Sequence, residues 1–135
     1  MVKTEEIEIF IDGACTGNPG PCGLGVVVRF GRQYTEIRQY IGTGTNNIAE
    51  LLAIGVALEE TRDMNGAVRV HTDSTYSIGV LSKGWKAKAN VELIGWIKKL
   101  LATRDVEFVK VKGHAGIPLN ERADQLAVAA VERRV

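Results

Sequence analysis

The chain has 135 residues, a length that suits one compact domain with its own core, expected here to span residues 1–135. Hydrophobic residues make up 45% and charged residues 24%, and the apolar runs are too short for a transmembrane helix or a signal peptide. The net charge of +1 excludes binding to nucleic acid that is driven by overall charge. We therefore expect a cytoplasmic monomer with no membrane partner.

The N-terminal third of the chain predicts three strands and a glycine-rich loop. Residues 5–11 alternate between apolar and polar side chains, which indicates a strand. Residues 13–23 hold four glycines and two prolines and predict a loop. Residues 24–30 and 33–41 are predicted strands that a turn at Gly31-Arg32 joins into a hairpin.

The rest of the chain alternates between helices and strands. In order, it predicts a helix over 47–62, a strand over 68–72, helices over 74–81 and 91–102, a strand over 106–111 and a helix over 118–132. This order predicts an α/β fold with a five-stranded mixed sheet, whose first three strands are antiparallel, flanked by helices. Right-handed crossovers then bring the ends of the first and fourth strands to the same edge region.

The two cysteines, Cys15 and Cys22, lie in the glycine-rich segment. Their spacing fits neither a CxxC redox pair nor a four-ligand zinc site. A disulfide between them would close a short loop, but disulfides are rare in the cytosol. The sequence therefore predicts that both cysteines are reduced.

Positive charge is concentrated in one part of the chain. Residues 83–112 hold eight basic and three acidic groups, a balance of +5, whereas residues 1–82 balance to −4. A basic region on a neutral protein can follow a phosphate backbone. It can equally be the solvated face of a helix with lysines at a strand edge, and charge alone leaves both readings open.

Four carboxylates occupy positions that suit chemistry. Asp12 and Asp73 end the first and fourth predicted strands, Glu50 lies in the first turn of a helix, and Asp124 lies in the last helix. Each has an ordinary alternative, as a turn residue, a helix-capping residue or a solvated helix charge. If the four meet, they repel one another unless cations lie between them, and oxygen ligands suit Mg²⁺ or Mn²⁺.

Five segments, taken together, resemble the signature blocks of type 1 ribonucleases H. They are residues 11–21 (IDGACTGNPGP), 45–51 (TNNIAEL), 72–76 (TDSTY), 111–116 (VKGHAG) and 120–127 (NERADQLA). The blocks occur in the order of that family and extend over nearly the whole chain. One block alone would be a weak signal, but all five in order are highly specific.

The resemblance implies an endonuclease that hydrolyses the RNA strand of an RNA–DNA hybrid. By similarity, Asp12, Glu50, Asp73 and Asp124 bind two Mg²⁺ ions, for which Mn²⁺ can substitute. The resemblance further implies that such ions would activate a water for attack on the phosphorus, with products that end in 3′-hydroxyl and 5′-phosphate groups. His114 matches the mobile histidine of the family's catalytic set. Its ring can carry a proton near neutral pH, so the resemblance implies either a proton relay or help in product release.

The resemblance also implies a set of residues that contact the substrate. Cys15, Asn18 and Asn47 match positions at the ribose 2′-hydroxyls, the group that distinguishes RNA from DNA. Thr45 and Asn46 match positions near the DNA strand and its phosphate. The whole expected set is Gly13, Cys15, Asn18, Thr45, Asn46, Asn47 and Thr75.

The chain departs from its bacterial relatives in two places. The basic helix and loop that follow the Asp-Ser block in many of them are replaced by the short basic loop 82–88, so fewer phosphate contacts and weaker hybrid binding are expected. Trp85 in this loop can stack on nucleic acid or pack beneath the loop. Thr75 stands where relatives often have glutamine, so a substrate contact can be shortened or lost at this position.

Two alternative functions stay open. One is a catalytically weak hybrid-binding module, and the other is a fold relative that acts on DNA.

Overall fold

The computed structural model describes residues 6–112 and 117–135, and its elements follow the predicted order. The strands are β1 (Ile7–Cys15), β2 (Gly20–Phe30), β3 (Gln33–Gly44), β4 (Val68–Thr72) and β5 (Val106–Lys110). The helices are α1 (Asn46–Glu60), α2 (Thr75–Ser82), α3 (Val91–Leu101) and α4 (Pro118–Arg133). Within these two described stretches, no helix combines the length and the apolar character that crossing a bilayer demands.

The five strands form one mixed sheet in the order β3-β2-β1-β4-β5. β1 pairs antiparallel with β2, and β2 pairs antiparallel with β3. β4 lies parallel to both β1 and β5. The predicted α/β fold is therefore confirmed, and the C-terminal halves of β1 and β4 point towards the same edge, as the crossover rule predicts.

Helices cover both faces of the sheet because side chains alternate along β1. Ile7, Ile9 and Ile11 face the core shared with α1, and all three are buried. Phe10 points the other way, into a second cluster with Val27 and residues of α4. The sheet thus holds α1 on one face and α4 on the other, so each helix can bring a side chain to the end of β1.

Two predictions about the glycine-rich segment are wrong. The segment 13–23 is mostly strand, because the β1–β2 ladder continues from the Asp12–Gly25 pair to the Cys15–Cys22 pair and leaves only residues 16–19 outside the strands. The cysteines are not reduced but joined in a disulfide. The pairing register places them opposite each other, which no local spacing rule reveals.

Candidate active site

Three of the four predicted carboxylates meet where β1, β4 and α1 come together. Asp12 lies on β1, Asp73 follows β4, and Glu50 lies in the second turn of α1. Each offers a carboxylate oxygen, and these three oxygens lie within 4.8 Å of one another. Three acids from three elements, brought so close together, form a cluster that could hold a metal ion.

Gly13 joins Asp12 to Glu50. Its backbone N–H points at the Asp12 Oδ1 and the Glu50 Oε1, each at 3.0 Å. A Cβ at Gly13 would lie 2.6 Å from the Cβ of Ala49 and 2.9 Å from the nitrogen of Glu50. Only glycine therefore lets the start of α1 lie against β1 closely enough for the two carboxylates to meet.

The pKa values of these acids reflect burial and crowding. Burial raises the pKa of Asp12 from 3.8 to about 6; a hydrogen bond with Glu50 opposes this rise, whereas Asp124 and Asp73 add to it. Burial also raises the pKa of Glu50 well above 4.5, with further contributions from Asp12 and Asp73. Two carboxylates in hydrogen-bond contact share a proton, which is how such a cluster relieves its repulsion when no cation is bound.

Asp124 reaches the cluster from the opposite face of the sheet. It lies beside Asp12, close enough for a side-chain hydrogen bond, but it does not belong to the group of oxygens within 4.8 Å. A close approach of α4 to β2 brings it there, because a Cβ at Gly25 would come within 2.0 Å of the Ala123 carbonyl oxygen. The fourth predicted acid is therefore a neighbour of the three-acid cluster.

The donor set of the cluster fits a hard divalent cation. All the side-chain donors are carboxylate oxygens, which Mg²⁺ and Mn²⁺ prefer. The Oε2 of Glu50 is buried and meets no hydrogen-bond donor in the described part of the chain. A cation would satisfy this oxygen and offset the repulsion among the clustered acids.

Four of the predicted substrate residues line one polar pocket beside the start of α1. Thr45 caps α1, its side chain accepting a hydrogen bond from the N–H of Ile48 at 3.2 Å. The Asn18 Oδ1 accepts a hydrogen bond from the N–H of Asn46 at 2.9 Å. The pocket has a volume of about 430 Å³ and is lined by Asn18, Thr45, Asn46, Asn47, Ala89 and Asn90. The pocket is thus lined by amide and hydroxyl groups that can both donate and accept hydrogen bonds.

Thr75 and Cys15, two other predicted site residues, do not line this pocket. Thr75 is exposed at the first position of α2 and does not line it. Cys15 carries no free thiol, because its sulfur is bonded to Cys22. His114 lies outside the described residues. The polar pocket therefore unites Asn18 with the start of α1, while the remaining contacts stay predictions.

Two residues near the site were missed by the sequence analysis. Asn90 holds a left-handed conformation with a φ of 59° just before α3, and it lines the polar pocket. An asparagine directly before a predicted helix is a recognisable signal for a special backbone position. Lys110, at the end of β5, donates from its ammonium group to the backbone carbonyl of Asp73. This contact depends on the pairing of β4 with β5, and no local sequence pattern indicates it.

The basic segment divides between the two ends of the molecule. Lys83, Lys86 and Lys88 are exposed in the loop that leads to Asn90 and hence to the polar pocket. Lys98 and Lys99 lie in the last turn of α3. Arg104 follows that helix and donates to the Leu58 carbonyl and the Thr61 hydroxyl at the far end of α1. Only part of the charge of +5 therefore lies beside the carboxylates and the pocket.

Trp85 packs rather than standing free. Its ring lies over Gly79 of α2, where a Cβ would come within 2.1 Å of the indole. Its backbone N–H donates to the Gly79 carbonyl at 3.2 Å, while 46% of the residue stays exposed. The basic loop is thus anchored to α2 by the tryptophan, and the packing reading of Trp85 is confirmed.

Comparisons with known proteins agree on one family. The RNase H family model matches residues 4–132. The Ribonuclease H of Desulforamulus reducens is 40% identical over 145 residues, an alignment that covers 96% of this chain and 89% of that protein. The N-terminal RNase H domain of a Mycobacterium tuberculosis protein has a TM-score of 0.82 at 30% identity, covering 93% of this chain and 98% of that one. LC11-RNase H1, in complex with an RNA/DNA hybrid, also has a TM-score of 0.82 at 30% identity, covering 95% and 98%.

Proposed function

The chain belongs to the ribonuclease H family, and we propose that it is an endonuclease that hydrolyses the RNA strand of RNA–DNA hybrids. The observation that carries this proposal is the cluster of Asp12, Glu50 and Asp73 beside a pocket of amide and hydroxyl groups. The cluster suits phosphoryl chemistry, and the pocket suits a ribose or phosphate backbone. The hybrid bound to LC11-RNase H1 supports the choice of substrate.

Asp12, Glu50 and Asp73, with Asp124 beside them, would hold two Mg²⁺ ions, and Mn²⁺ would substitute. Bound ions of this kind supply Lewis-acid stabilisation for the charge that develops on phosphate oxygens. The protein's own share is geometric. Gly13 fixes the carboxylates of Asp12 and Glu50 through its N–H, so the acids are in place before substrate arrives. We propose that the products end in 3′-hydroxyl and 5′-phosphate groups.

His114 would carry a proton for this reaction. The proposal rests on its motif alone, 111–116, because the residue lies outside the described part of the chain. An imidazole titrates near neutral pH and can therefore give or take a proton at the leaving oxygen. The expected consequence of His114→Ala is a fall in kcat with little change in KM, measured by hybrid cleavage across pH.

The polar pocket would contact the backbone of the hybrid. Asn18 and Asn47 offer amide groups that can both donate to and accept from a 2′-hydroxyl, which is how a protein distinguishes RNA from DNA. Thr45 and Asn46 would face the DNA strand and its phosphate. Gly13, Cys15 and Thr75 would complete the contact surface, Cys15 through its backbone because its sulfur is bonded.

The central experiment is cleavage of a labelled RNA–DNA hybrid in Mg²⁺ and, separately, in Mn²⁺. Wild-type protein should cut the RNA strand, and Asp73→Asn should abolish cutting without unfolding the protein. Asp105→Asn is the matched control, because Asp105 is exposed and uses its backbone carbonyl, not its carboxylate, to bond Val68. Full activity in Asp12→Asn and Asp73→Asn would refute the metal site.

Parallel assays on DNA–DNA and RNA–RNA duplexes separate the alternatives. Preferential cutting of a DNA duplex would favour the fold relative that acts on DNA. Hybrid binding without turnover would favour the binding module. Mapping the ends of the cleaved strand checks the proposed 3′-hydroxyl and 5′-phosphate products.

The lysines of the short loop would contact phosphates of the hybrid. Lys86→Gln should lower hybrid affinity and reduce the slope of log K against log salt by about 0.9, the value for one phosphate contact. Lys98→Gln is the matched control, because Lys98 lies in the last turn of α3. Equal slopes for both variants would place the hybrid elsewhere.

We also propose one domain over residues 1–135 that acts as a monomer in the cytoplasm. The family match over residues 4–132 supports the single domain. The substrate supports the location, since hybrids arise where RNA and DNA are handled together. Sedimentation of the hybrid-free protein at several concentrations tests the monomer, and a mass that rises with concentration would contradict it.

A further inference from the structure

The disulfide closes the base of the loop that carries Asn18. Cys15 and Cys22 are the last paired residues of the β1–β2 ladder, and the four residues between β1 and β2 form the loop. Asn18 lies in this loop and lines the polar pocket. The covalent link therefore fixes the two points from which the loop departs.

Within residues 6–112 and 117–135, few hydrogen bonds hold this loop. The Thr16 N–H donates to the Pro21 carbonyl at 2.8 Å across the base. At the tip, Asn18 is exposed, and its Oδ1 accepts one hydrogen bond, from the Asn46 N–H. A segment with exposed side chains and few hydrogen bonds opens locally at low cost, so the geometry of Asn18 depends on how its base is held.

The buried end of the disulfide lies against the start of α1. Cys22 is fully buried, and its Sγ lies 3.9 Å from the carbonyl oxygen of Thr45, the residue that caps the helix. The disulfide thus lies beneath both partners of the Asn18–Asn46 contact. Separation of the sulfurs would loosen the loop that carries Asn18 on one side of the polar pocket. It would also weaken the packing beneath the start of α1 on the other side.

The carboxylate cluster is held by different contacts. Asp12 lies in the ladder opposite Gly25, three pairs before the cysteines, and Asp73 follows β4. The Gly13 N–H bonds both Asp12 and Glu50. These contacts remain when the disulfide opens, so the chemical step should be less affected than substrate binding.

We propose that the Cys15–Cys22 disulfide positions the substrate loop, and that a dithiol which reduces it weakens hybrid binding while leaving the chemical step nearly unchanged. This inference rests on the proposed function. In the reaction the S–S bond breaks, two electrons and two protons pass from the dithiol to form two thiols, and the dithiol becomes a cyclic disulfide. In a cytosol that keeps thiols reduced, the reduced form with the weaker hybrid binding would prevail, and oxidation would raise the affinity for the hybrid.

The two sulfurs differ in their access to a reductant. Cys15 is half-buried and lines an open pocket of about 130 Å³ with Thr16 and Val128, whereas Cys22 is fully buried. Thiol–disulfide exchange depends on which sulfur can be attacked. Attack at Cys15, with Cys22 as the leaving thiol, is therefore the route that the structure allows.

The test compares oxidised and reduced protein in the hybrid cleavage assay. Alkylation and mass measurement first establish the redox state: the oxidised chain should take up no alkylating agent, and the dithiol-treated chain two equivalents. Reduction should raise KM about fivefold, which corresponds to about 1 kcal/mol, with kcat changed less than twofold. An equal KM in both states, a parallel loss of kcat, or alkylation of air-oxidised protein would overturn the proposal.

Two variants separate a positioning role from a general loss of structure. Asn18→Ala should raise the KM of the oxidised protein, and reduction should then add little, because both changes remove the same contact. Full additivity of the two effects would contradict the proposal. The double variant Cys15→Ser/Cys22→Ala should have the KM of the reduced wild type, and the dithiol should not change it. If the oxidised wild type cleaves no hybrid at all, the proposed function fails instead.

Discussion

Removal of one carboxylate from the cluster should stabilise the metal-free protein. Burial, with smaller contributions from Asp124 and Asp73, raises the pKa of Asp12 from 3.8 to about 6. One pKa unit corresponds to about 1.4 kcal/mol, so ionisation of Asp12 at pH 8 costs the folded state about 3 kcal/mol relative to an ordinary aspartate. Asp12→Asn removes this charge, so we expect its free energy of unfolding to rise by about 2–3 kcal/mol at pH 8.

The pH dependence follows from the direction of the shift. A carboxyl whose pKa rises on folding binds its proton more tightly in the folded state, so this penalty is absent below about pH 4. The penalty grows as the pH rises from about 4 to about 6, and it stays constant above that range. The stability gained by Asp12→Asn should therefore be large at pH 8 and small at pH 4.

Urea unfolding in a chelator, at both pH values, measures this effect. Asp105→Asn is the control, because its exposed carboxylate lies outside the cluster. Added Mg²⁺ should stabilise the wild type by mass action and Asp12→Asn much less. If Asp12→Asn is no more stable than the wild type at pH 8 without metal, the account of the crowded carboxylates is refuted.

Three further predictions concern the frame around the site. Gly79→Ala should cost about 1–3 kcal/mol of stability, because its Cβ would collide with the Trp85 ring. Gly95→Ala should be neutral or stabilising by up to about 1 kcal/mol, because its Cβ would meet nothing within 4 Å in the part of the chain that the structure describes. Urea unfolding and tryptophan fluorescence distinguish the two variants. Reduction of the disulfide, which spans a sequence separation of 7, should lower the free energy of unfolding by about 2–3 kcal/mol, and an unchanged urea midpoint would contradict this. Asn90→Ala should weaken hybrid binding, and it should also lower stability by about 1 kcal/mol because alanine disfavours the left-handed backbone. Asn90→Gly should restore the stability but not the binding, because glycine accepts this backbone and has no side chain for the substrate.

Local patterns predicted most of the elements, whereas the resemblance to type 1 ribonucleases H predicted the three clustered acids. Alternation along residues 5–11 predicted β1, and helical spacing predicted α1 and α3 close to their observed bounds. These signals are short-range, because a side chain's face is set by the period of its own element. The rule of right-handed crossovers predicted that the ends of the first and fourth strands meet at one edge. The parallel pairing of β1 with β4 places Asp12 and Asp73 there.

Strand pairing and helix packing decided the rest. The register of β1 with β2 extended both strands through the glycine-rich segment and joined Cys15 to Cys22, whereas composition had predicted a loop with two free thiols. The turn into α3 brought Asn90 to the pocket, and the path of α3 moved Lys98 away from it. The raised pKa of Asp12 likewise needs burial and the nearby acids Asp124 and Asp73, which lie far from Asp12 in the sequence. Residue type and periodicity are properties of the local chain, but distances and burial depend on contacts between residues far apart in sequence, and those exist only once the sheet and its helices have packed.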